Sequence, residues 1–171
     1  MNRSSGSLAA DILAGAVAGS LATVVLGGVT SLLYEREDKS ARRREDRARG
    51  DKSAYEIAAD RAAGALGVRL SNDQSSELGT AIHYGIGAGA GAAYGAVRRY
   101  IPASAPVKGL AMGAALWLIA DEGVVPALGL TPGPAAFPWQ THVRGLVAHL
   151  VFGVVAEGVL SASDLFGKRG R

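Results

Sequence analysis

Apolar residues fall into four long runs that polar segments separate. The runs are residues 12–34, 78–97, 109–130 and 145–163. At a rise of 1.5 Å per residue, each run is long enough to cross a hydrocarbon layer of about 30 Å. A water-soluble bundle of this size would have too little polar surface to cover four such helices. The pattern therefore predicts an all-α fold, a polytopic membrane helix bundle of about four transmembrane helices. We expect the spans at 12–34, 76–99, 107–130 and 143–164.

Glycine recurs every fourth residue inside three of the runs. Lipid tails do not drive helices together, so close backbone approach through small residues is a usual source of packing in membranes. The spacing predicts helix–helix contact at these glycines, either within the chain or between subunits. The residues are Gly15, Gly19, Gly87, Gly91, Gly95, Gly109 and Gly113.

A strongly charged segment, residues 35–73, separates the first two runs. It holds ten of the eighteen Lys and Arg residues and nine of the fifteen acidic ones. The basic cluster at residues 42–44 lies among acidic side chains, which cancel its field, so the net charge of +3 does not indicate nucleic-acid binding. We therefore expect one membrane domain over residues 1–171, with 35–73 as a polar helical insertion within it.

Local signals divide this insertion and bend the third span. Residues 35–52 are expected to extend the first helix into solvent or to be mobile. Ser53 followed by Glu56 predicts a capping box that begins a short helix, which Gly67 ends.

Pro126 cannot donate a hydrogen bond to the carbonyl four residues earlier, so a kink is expected in the third span.

Four crossings would place both termini on one side and the insertion on the other. The insertion side then carries eleven Lys and Arg residues, counting Arg144, and the side of the termini carries seven. The positive-inside rule therefore favours a cytoplasmic insertion.

The last hundred residues resemble a known family. The run LWLIADEGVVPALGLTPGPAAFPWQTH at 116–142, AHLVFGVVAE at 148–157, and His83 eleven residues before Tyr94 are similar to the YagU-like family of bacterial inner-membrane proteins. The resemblance implies a multi-pass protein of the bacterial inner (plasma) membrane, without an established biochemical activity. It also implies a cytoplasmic C-terminus, which opposes the charge count.

No motif of a soluble enzyme is present. The sequence has no phosphate-binding glycine loop, no zinc-protease motif and no nucleophile elbow. It also has no cysteine, which excludes thiol catalysis and iron–sulfur ligation by this chain. We therefore expect a non-enzymatic protein without a cofactor, and the sequence leaves any metal unassigned.

Ionisable residues within the spans are the candidates for chemistry, because they are rare in membranes and usually face the bundle interior. Measured from the side of the insertion, His83, His149 and the pair Asp121 and Glu122 lie at depths of about 8, 10 and 12–14 Å. We expect these four side chains to form one hydrogen-bonded proton or cation site. Glu157, about 12 Å further along its helix, would extend a path toward the other side.

Three functions remain open from the sequence, of which an intramembrane enzyme is the least favoured, because no nucleophile–base pair and no dedicated metal motif is visible. The other two are as follows. The first is a structural or accessory bundle that acts through helix packing and a partner, either a second copy or another membrane protein. The second is a proton- or cation-handling protein that uses the intramembrane His, Asp and Glu cluster. The partner common to both is the lipid bilayer.

Overall fold

The computed structural model describes the backbone of residues 5–169 and the side chains of residues 8–164. Every regular element in that part of the chain is helical, in agreement with the expected all-α class. The elements are α1 (Ser5–Arg36), α2 (Lys39–Arg49), α3 (Ala54–Ala65), α4 (Asn72–Val97), α5 (Ala105–Leu116), a π-helical segment (Trp117–Val124), α6 (Val125–Ala127) and α7 (Trp139–Arg169), with 3₁₀ turns at Arg98–Tyr100 and Pro134–Ala136.

Three helical stretches are long and apolar enough to cross a membrane. They are Leu8–Arg36, Ala105–Ala127 and Trp139–Asp164, and they contain the first, third and fourth apolar runs. Helix α4 holds the second run but is not among them. Gly and Ala supply most of its apolar residues, and both are weakly hydrophobic. The structure is therefore all-helical in its described part, with three helices that could span a membrane by their length and composition.

The long helices pack in the order α4, α1, α7, α5. Helix α1 contacts α4 and α7, α7 also contacts α5, and α3 packs against α4. Large side chains on the outer face of α1, such as Leu13 and Val17, are mostly exposed, as expected of a helix that faces lipid. The buried core consists of Ala18, Ala22, Leu26, Tyr94, Ala148, Phe152, Ala156 and Leu160.

Glycine backbones form the closest helix contacts. A Cβ atom at Gly15 would overlap the carbonyl oxygen of Gly91, and one at Gly113 would overlap the carbonyl oxygen of His149. These positions tolerate no side chain unless the helices move apart, so the glycines set the interhelical distance. The α1–α4 contact contains Gly15, Gly19, Gly87, Gly91 and Gly95, and the α5–α7 contact contains Gly109 and Gly113.

The charged segment after α1 differs from expectation. Helix α1 ends at Arg36, and residues 39–49 form a separate helix, α2, in which Ala41 and Glu45 are buried. The prediction that residues 35–52 extend the first helix or are mobile is therefore wrong. The physical reason is an ion pair: Glu45 meets Arg144 of α7, which turns the chain back onto the bundle.

Helix α3 begins as its sequence predicts. The Ser53 hydroxyl accepts a hydrogen bond from the Glu56 backbone N–H at 3.3 Å, and the Glu56 carboxylate accepts one from the Ser53 backbone N–H at 2.7 Å. The capping box is thus confirmed. The chain turns away at Gly67, whose φ of 74° lies in the left-handed region that glycine adopts readily.

The second candidate stretch, Ala105–Ala127, changes its hydrogen-bonding pattern near Pro126. The N–H of Val125 bonds to the carbonyl of Ala120, five residues earlier, and the segment Trp117–Val124 is π-helical. The expected disturbance therefore takes the form of a π-helical segment, a feature that often occurs at functional sites. Asp121 and Glu122 both lie within it.

Candidate functional site

The π-helical segment directs two adjacent carboxylates toward α7. Both are at the near end of the bundle, which we define as the end where α1 finishes and α7 begins. The ring of Trp117 lies close to Gly145 of α7, where a Cβ atom would be 3.2 Å from the indole nitrogen. A side chain at Gly145 would therefore crowd the indole and separate the carboxylates from α7.

Glu122 forms the shorter of two imidazole–carboxylate pairs. Its Oε1 atom lies 2.6 Å from Nδ1 of His142, and Nε2 of the same ring lies 3.1 Å from the carbonyl oxygen of Pro134. Both ring nitrogens thus face oxygen acceptors. A neutral imidazole carries only one N–H, so this geometry requires a further proton, either on the ring or on the carboxylate.

Asp121 forms the second pair, with His149. Its Oδ2 atom lies 3.5 Å from Nδ1 of the ring, and that nitrogen is also 2.9 Å from the carbonyl oxygen of Gly145. The Nδ1–H group therefore donates to the carbonyl of Gly145, and the Asp121 carboxylate lies beside the ring. The side chain of Asp121 is about one-third exposed and that of His149 is 12% exposed.

His83 forms no hydrogen bond with either imidazole–carboxylate pair and instead contacts an aromatic ring. Its ring stacks on Tyr55 of α3, with the centroids 4.6 Å apart and the planes at 7°. Burial, and to a smaller extent the negative charge of Asp121, raise the pKa of Tyr55 to about 12. The Tyr55 ring of α3 thus contacts His83 and also lines the cavity that contains the two carboxylates.

A cavity of about 250 Å³ connects these groups to the near end. Its walls combine the aromatic rings of Tyr55, Trp117 and Phe137 with the side chains of Asp121, Glu122 and His142. A water molecule occupies about 30 Å³ of liquid volume, so several waters fit. Water in this cavity would contact Asp121, Glu122 and His142.

Helix α3 covers this cavity and is held at two points. Arg61 donates hydrogen bonds to the carbonyls of Leu128 and Gly129 at 2.5 and 2.7 Å, just beyond α6. On the other side, Lys52 donates to Asp60 at 2.7 Å and Ser75 donates to Asp60 at 2.8 Å. These bonds lower the pKa of the Asp60 carboxyl, with Lys52 as the largest cause.

Glu157 belongs to a different, saturated network at the opposite end of the bundle. Its carboxylate accepts hydrogen bonds from Tyr94 at 2.6 Å, from Arg98 at 2.9 and 3.0 Å, and from Ser161 at 2.9 Å. Arg98 also donates to Asp164 at 2.8 Å. This network joins the end of α4 to α7 and fills the far end, where the sequence predicted a continuing path.

Of the five candidate residues, the structure pairs Asp121 with His149 but joins Glu122 to His142. The depth argument missed His142 because it placed this residue at the membrane boundary, where no partner was expected. The sequence did contain a signal for His142: it precedes His149 by seven residues, which is two turns of one helix.

No grouping of three or more potential metal ligands occurs among the described residues. Instead, each carboxylate of the site has an imidazole partner. The arrangement is thus chemically suited to holding protons between paired groups.

The family described as a protein of unknown function, DUF1440, matches residues 60–158. The matched region runs from α3 to α7 and includes all five candidate residues together with His142. No curated protein and no solved structure matches the chain.

Proposed function

The chain belongs to the DUF1440 family, and we propose that it is a four-span membrane protein that binds protons at the near end. The observation that carries this proposal is the Glu122–His142 pair, with 2.6 Å between carboxylate and ring and an acceptor at each ring nitrogen. Such a pair holds a proton whose loss leaves two acceptors facing each other, so the local structure depends on pH.

The fourth span in this proposal is α4. Its 26 residues correspond to about 39 Å of helix, and its glycines lie against α1 along several turns. With four crossings, both termini lie on one side and the charged insertion, residues 35–73, lies on the other. The resemblance to YagU-like proteins supports the bacterial inner membrane as the location.

Proton binding without conduction fits the two ends of the bundle. The near end has a cavity beside both pairs, whereas the far end holds the Glu157–Arg98 network, in which both side chains are at least 94% buried. A proton that enters from the near end therefore meets no second set of free acceptors. We propose that binding of this proton changes the charge of the cavity and thereby the position of α3 against the bundle.

Infrared difference spectroscopy during a pH titration tests this proposal directly. When the pair changes its protonation state, the wild-type protein should show coupled carboxyl and imidazole bands. Glu122→Gln should remove the carboxyl component. Glu77→Gln, which changes an exposed acid at the start of α4, is the matched control and should leave it unchanged. A Glu122→Gln spectrum identical to that of the wild type would refute the proton site.

Reconstituted vesicles separate binding from transport. We expect no sustained proton flux from the wild-type protein in vesicles with an imposed pH gradient. A sustained flux that Glu122→Gln abolishes would show that the far end opens, and would contradict the binding-only proposal while keeping the site.

A second candidate function, an accessory protein that binds a partner helix, is favoured by the outer face of α4. Gly85 and Gly89 have no atom within 4 Å of an added Cβ position, and Ala81 and Ala93 continue the same exposed stripe. Small residues at this spacing permit close approach of another helix. The partner would be a second copy or another membrane protein.

Cysteine cross-linking tests this second candidate, because the chain has no native cysteine. Gly89→Cys should form a disulfide dimer in membranes if a second copy packs on the stripe. Val17→Cys, on the outer face of α1, serves as the control. Equal cross-linking at both positions would indicate random collision and would contradict a specific helix partner.

A further inference from the structure

The wall of the near-end cavity offers polar atoms that no other group of the protein binds. The Trp117 indole N–H, the Tyr55 hydroxyl and the Asp121 carboxylate form no hydrogen bond within the described part of the chain. None of these atoms is fully buried, and all three residues line the cavity. Trp117 Nε1 and Asp121 Oδ2 lie 3.2 and 3.7 Å from the position that a Cβ atom at Gly145 would take. The missing side chain at Gly145 therefore leaves room beside both atoms.

The arginines next to the cavity are already paired with other carboxylates. Arg49 lies 3.8 Å from Glu45 and 2.9 Å from Asp46. Arg144 pairs with Glu45 as well, and also with Glu37. The two arginines thus contact three carboxylates, so this group offers no free positive charge to an anionic ligand or to Asp121.

Two further cations hold α3 in place and do not line the cavity. Lys52 pairs with Asp60 at 2.7 Å, and Arg61 donates to the carbonyls of Leu128 and Gly129. Neither side chain neutralises the carboxylates of the cavity wall.

Asp121 is the carboxylate of this wall that lacks a hydrogen-bonded cation. Glu122 holds a proton together with His142 at 2.6 Å, so that pair carries no net charge. The Nδ1–H group of His149 donates to the carbonyl of Gly145 and lies 3.5 Å from Asp121, without a hydrogen bond to it. A partly buried charge is costly unless it is paired. A ligand at this point should therefore be a cation.

The volume and the aromatic rings of the cavity indicate an organic cation. Tyr55, Trp117 and Phe137 line it, and aromatic rings attract ammonium groups as well as apolar bodies. A cavity of about 150 Å³ holds a benzene-sized molecule, and this one has about 250 Å³. Its ligand therefore has the size of one aromatic ring with a short side chain. A single unpaired carboxylate favours one ammonium group over two.

We propose that this cavity binds a small organic monoamine in its ammonium form. The ammonium donates to the Asp121 carboxylate, and the apolar body lies against the aromatic rings. An anion would be repelled by the carboxylate, and a neutral molecule would leave the charge unpaired. The inference rests on the proposed function, because the proton held by Glu122 and His142 makes that pair neutral and leaves Asp121 as the anionic group.

Fluorescence of Trp117 provides a local measurement of binding. The chain has two tryptophans, and Trp139→Phe, at a residue that is 68% exposed, leaves Trp117 as the single one. This variant in detergent is titrated at neutral pH with 2-phenylethylammonium, or with 2-phenylethanol, which has the same body and a hydroxyl in place of the ammonium. Loss of a hydrogen bond to a charged group weakens binding by about tenfold or more.

We therefore expect a saturable change in Trp117 emission, with an affinity at least tenfold higher for the ammonium than for the alcohol. Equal affinities would show that the cavity binds apolar bodies without regard to charge, and would overturn the proposal. The absence of any saturable change with the ammonium would overturn it as well.

Asp121→Asn, made in the Trp139→Phe background, assigns the preference to this carboxylate. The variant should bind the ammonium and the alcohol equally, and its retained binding of the alcohol shows that the cavity is still formed. Asp51→Asn, at an exposed acid outside the cavity, is the matched control and should keep the preference. A preference that persists in Asp121→Asn would place the amine elsewhere and overturn the assignment.

The amine site and the proton site can fail separately. Carboxyl bands that Glu122→Gln removes, without any preference for the ammonium, would retain the proton site and refute the amine site. A preference for the ammonium that Asp121→Asn abolishes, with infrared bands that Glu122→Gln leaves unchanged, would refute the proton site alone.

Discussion

The α1–α4 contact provides the sharpest test of the packing, because two glycines on α4 differ only in their surroundings. A Cβ atom at Gly91 would lie 2.7 Å from Cα and 2.8 Å from the backbone nitrogen of Gly19. At Gly89, two residues away on the same helix, no atom lies within 4 Å of the corresponding position. Substitution by alanine therefore adds the same methyl group to a filled site and to an open one.

The magnitude follows from these distances. Non-bonded carbon atoms rest about 3.5–4.0 Å apart, so Gly91→Ala must move the two helices apart by about 1 Å. Overpacking of this kind costs about 1–3 kcal/mol. Replacing glycine by alanine inside a helix favours the helix by up to about 1 kcal/mol at both positions. We expect Gly91→Ala to be destabilised and Gly89→Ala to be as stable as the wild type or more stable.

Denaturant titration in detergent, followed by circular dichroism, measures both variants under identical conditions. The informative quantity is the difference between their free energies of unfolding, because the helix-propensity contribution cancels. Equal stability of Gly91→Ala and Gly89→Ala would refute the close α1–α4 contact.

Three further predictions concern the ion pairs and the cover of the cavity. Glu157→Gln removes the buried carboxylate partner of Arg98 and leaves it only the partly exposed Asp164, so stability should fall by up to about 3–5 kcal/mol. The double variant Arg98→Met/Glu157→Leu should recover much of this loss. Thermal unfolding in detergent measures both variants, and an additive loss would contradict the pairing. Asp60 has a lowered pKa in the folded protein, so its contribution is present above the ordinary carboxyl pKa and is lost as pH falls through the lowered value. The protection of the α3 amides, relative to their intrinsic exchange rate at each pH, should therefore fall at acidic pH in the wild type and be low at every pH in Asp60→Asn. Equal protection in both proteins at neutral pH would contradict this role. Tyr55 has a pKa of about 12 when folded, so the unfolded chain ionises first as pH rises above about 10. Thermal unfolding at a series of pH values should show that the stability of the wild type falls above that pH, and Tyr55→Phe should remove part of this fall. An equal loss of stability at alkaline pH in both proteins would contradict the burial of the phenol.

The helical class and the long apolar stretches followed from local sequence. A run of twenty apolar residues must satisfy its own backbone hydrogen bonds in lipid, and only a helix does so within one segment. The capping box at Ser53 and the turn at Gly67 were equally local, because each depends on residues within one or two turns. By contrast, the separate helix α2 depends on Arg144, about one hundred residues away along the chain.

The candidate site was also predictable only in part from the sequence. Depth along a helix follows from residue number at 1.5 Å per residue, so the sequence placed Asp121 near His149. It did not give the rotation of each helix about its axis, and the π-helical segment alters that rotation where the carboxylates lie. For this reason Glu122 meets His142, and His83 stacks on Tyr55.

The sequence by itself determined which segments are helical and apolar, where glycine permits close approach, and which ionisable groups lie within the spans. Only the tertiary structure decided which of these groups meet. Pairing requires two side chains to agree in depth, rotation and distance, and these coordinates depend on contacts between residues far apart in the chain. The same reason explains Glu157: its depth suggested a path, whereas its neighbours Arg98 and Tyr94 make it part of a buried ion pair.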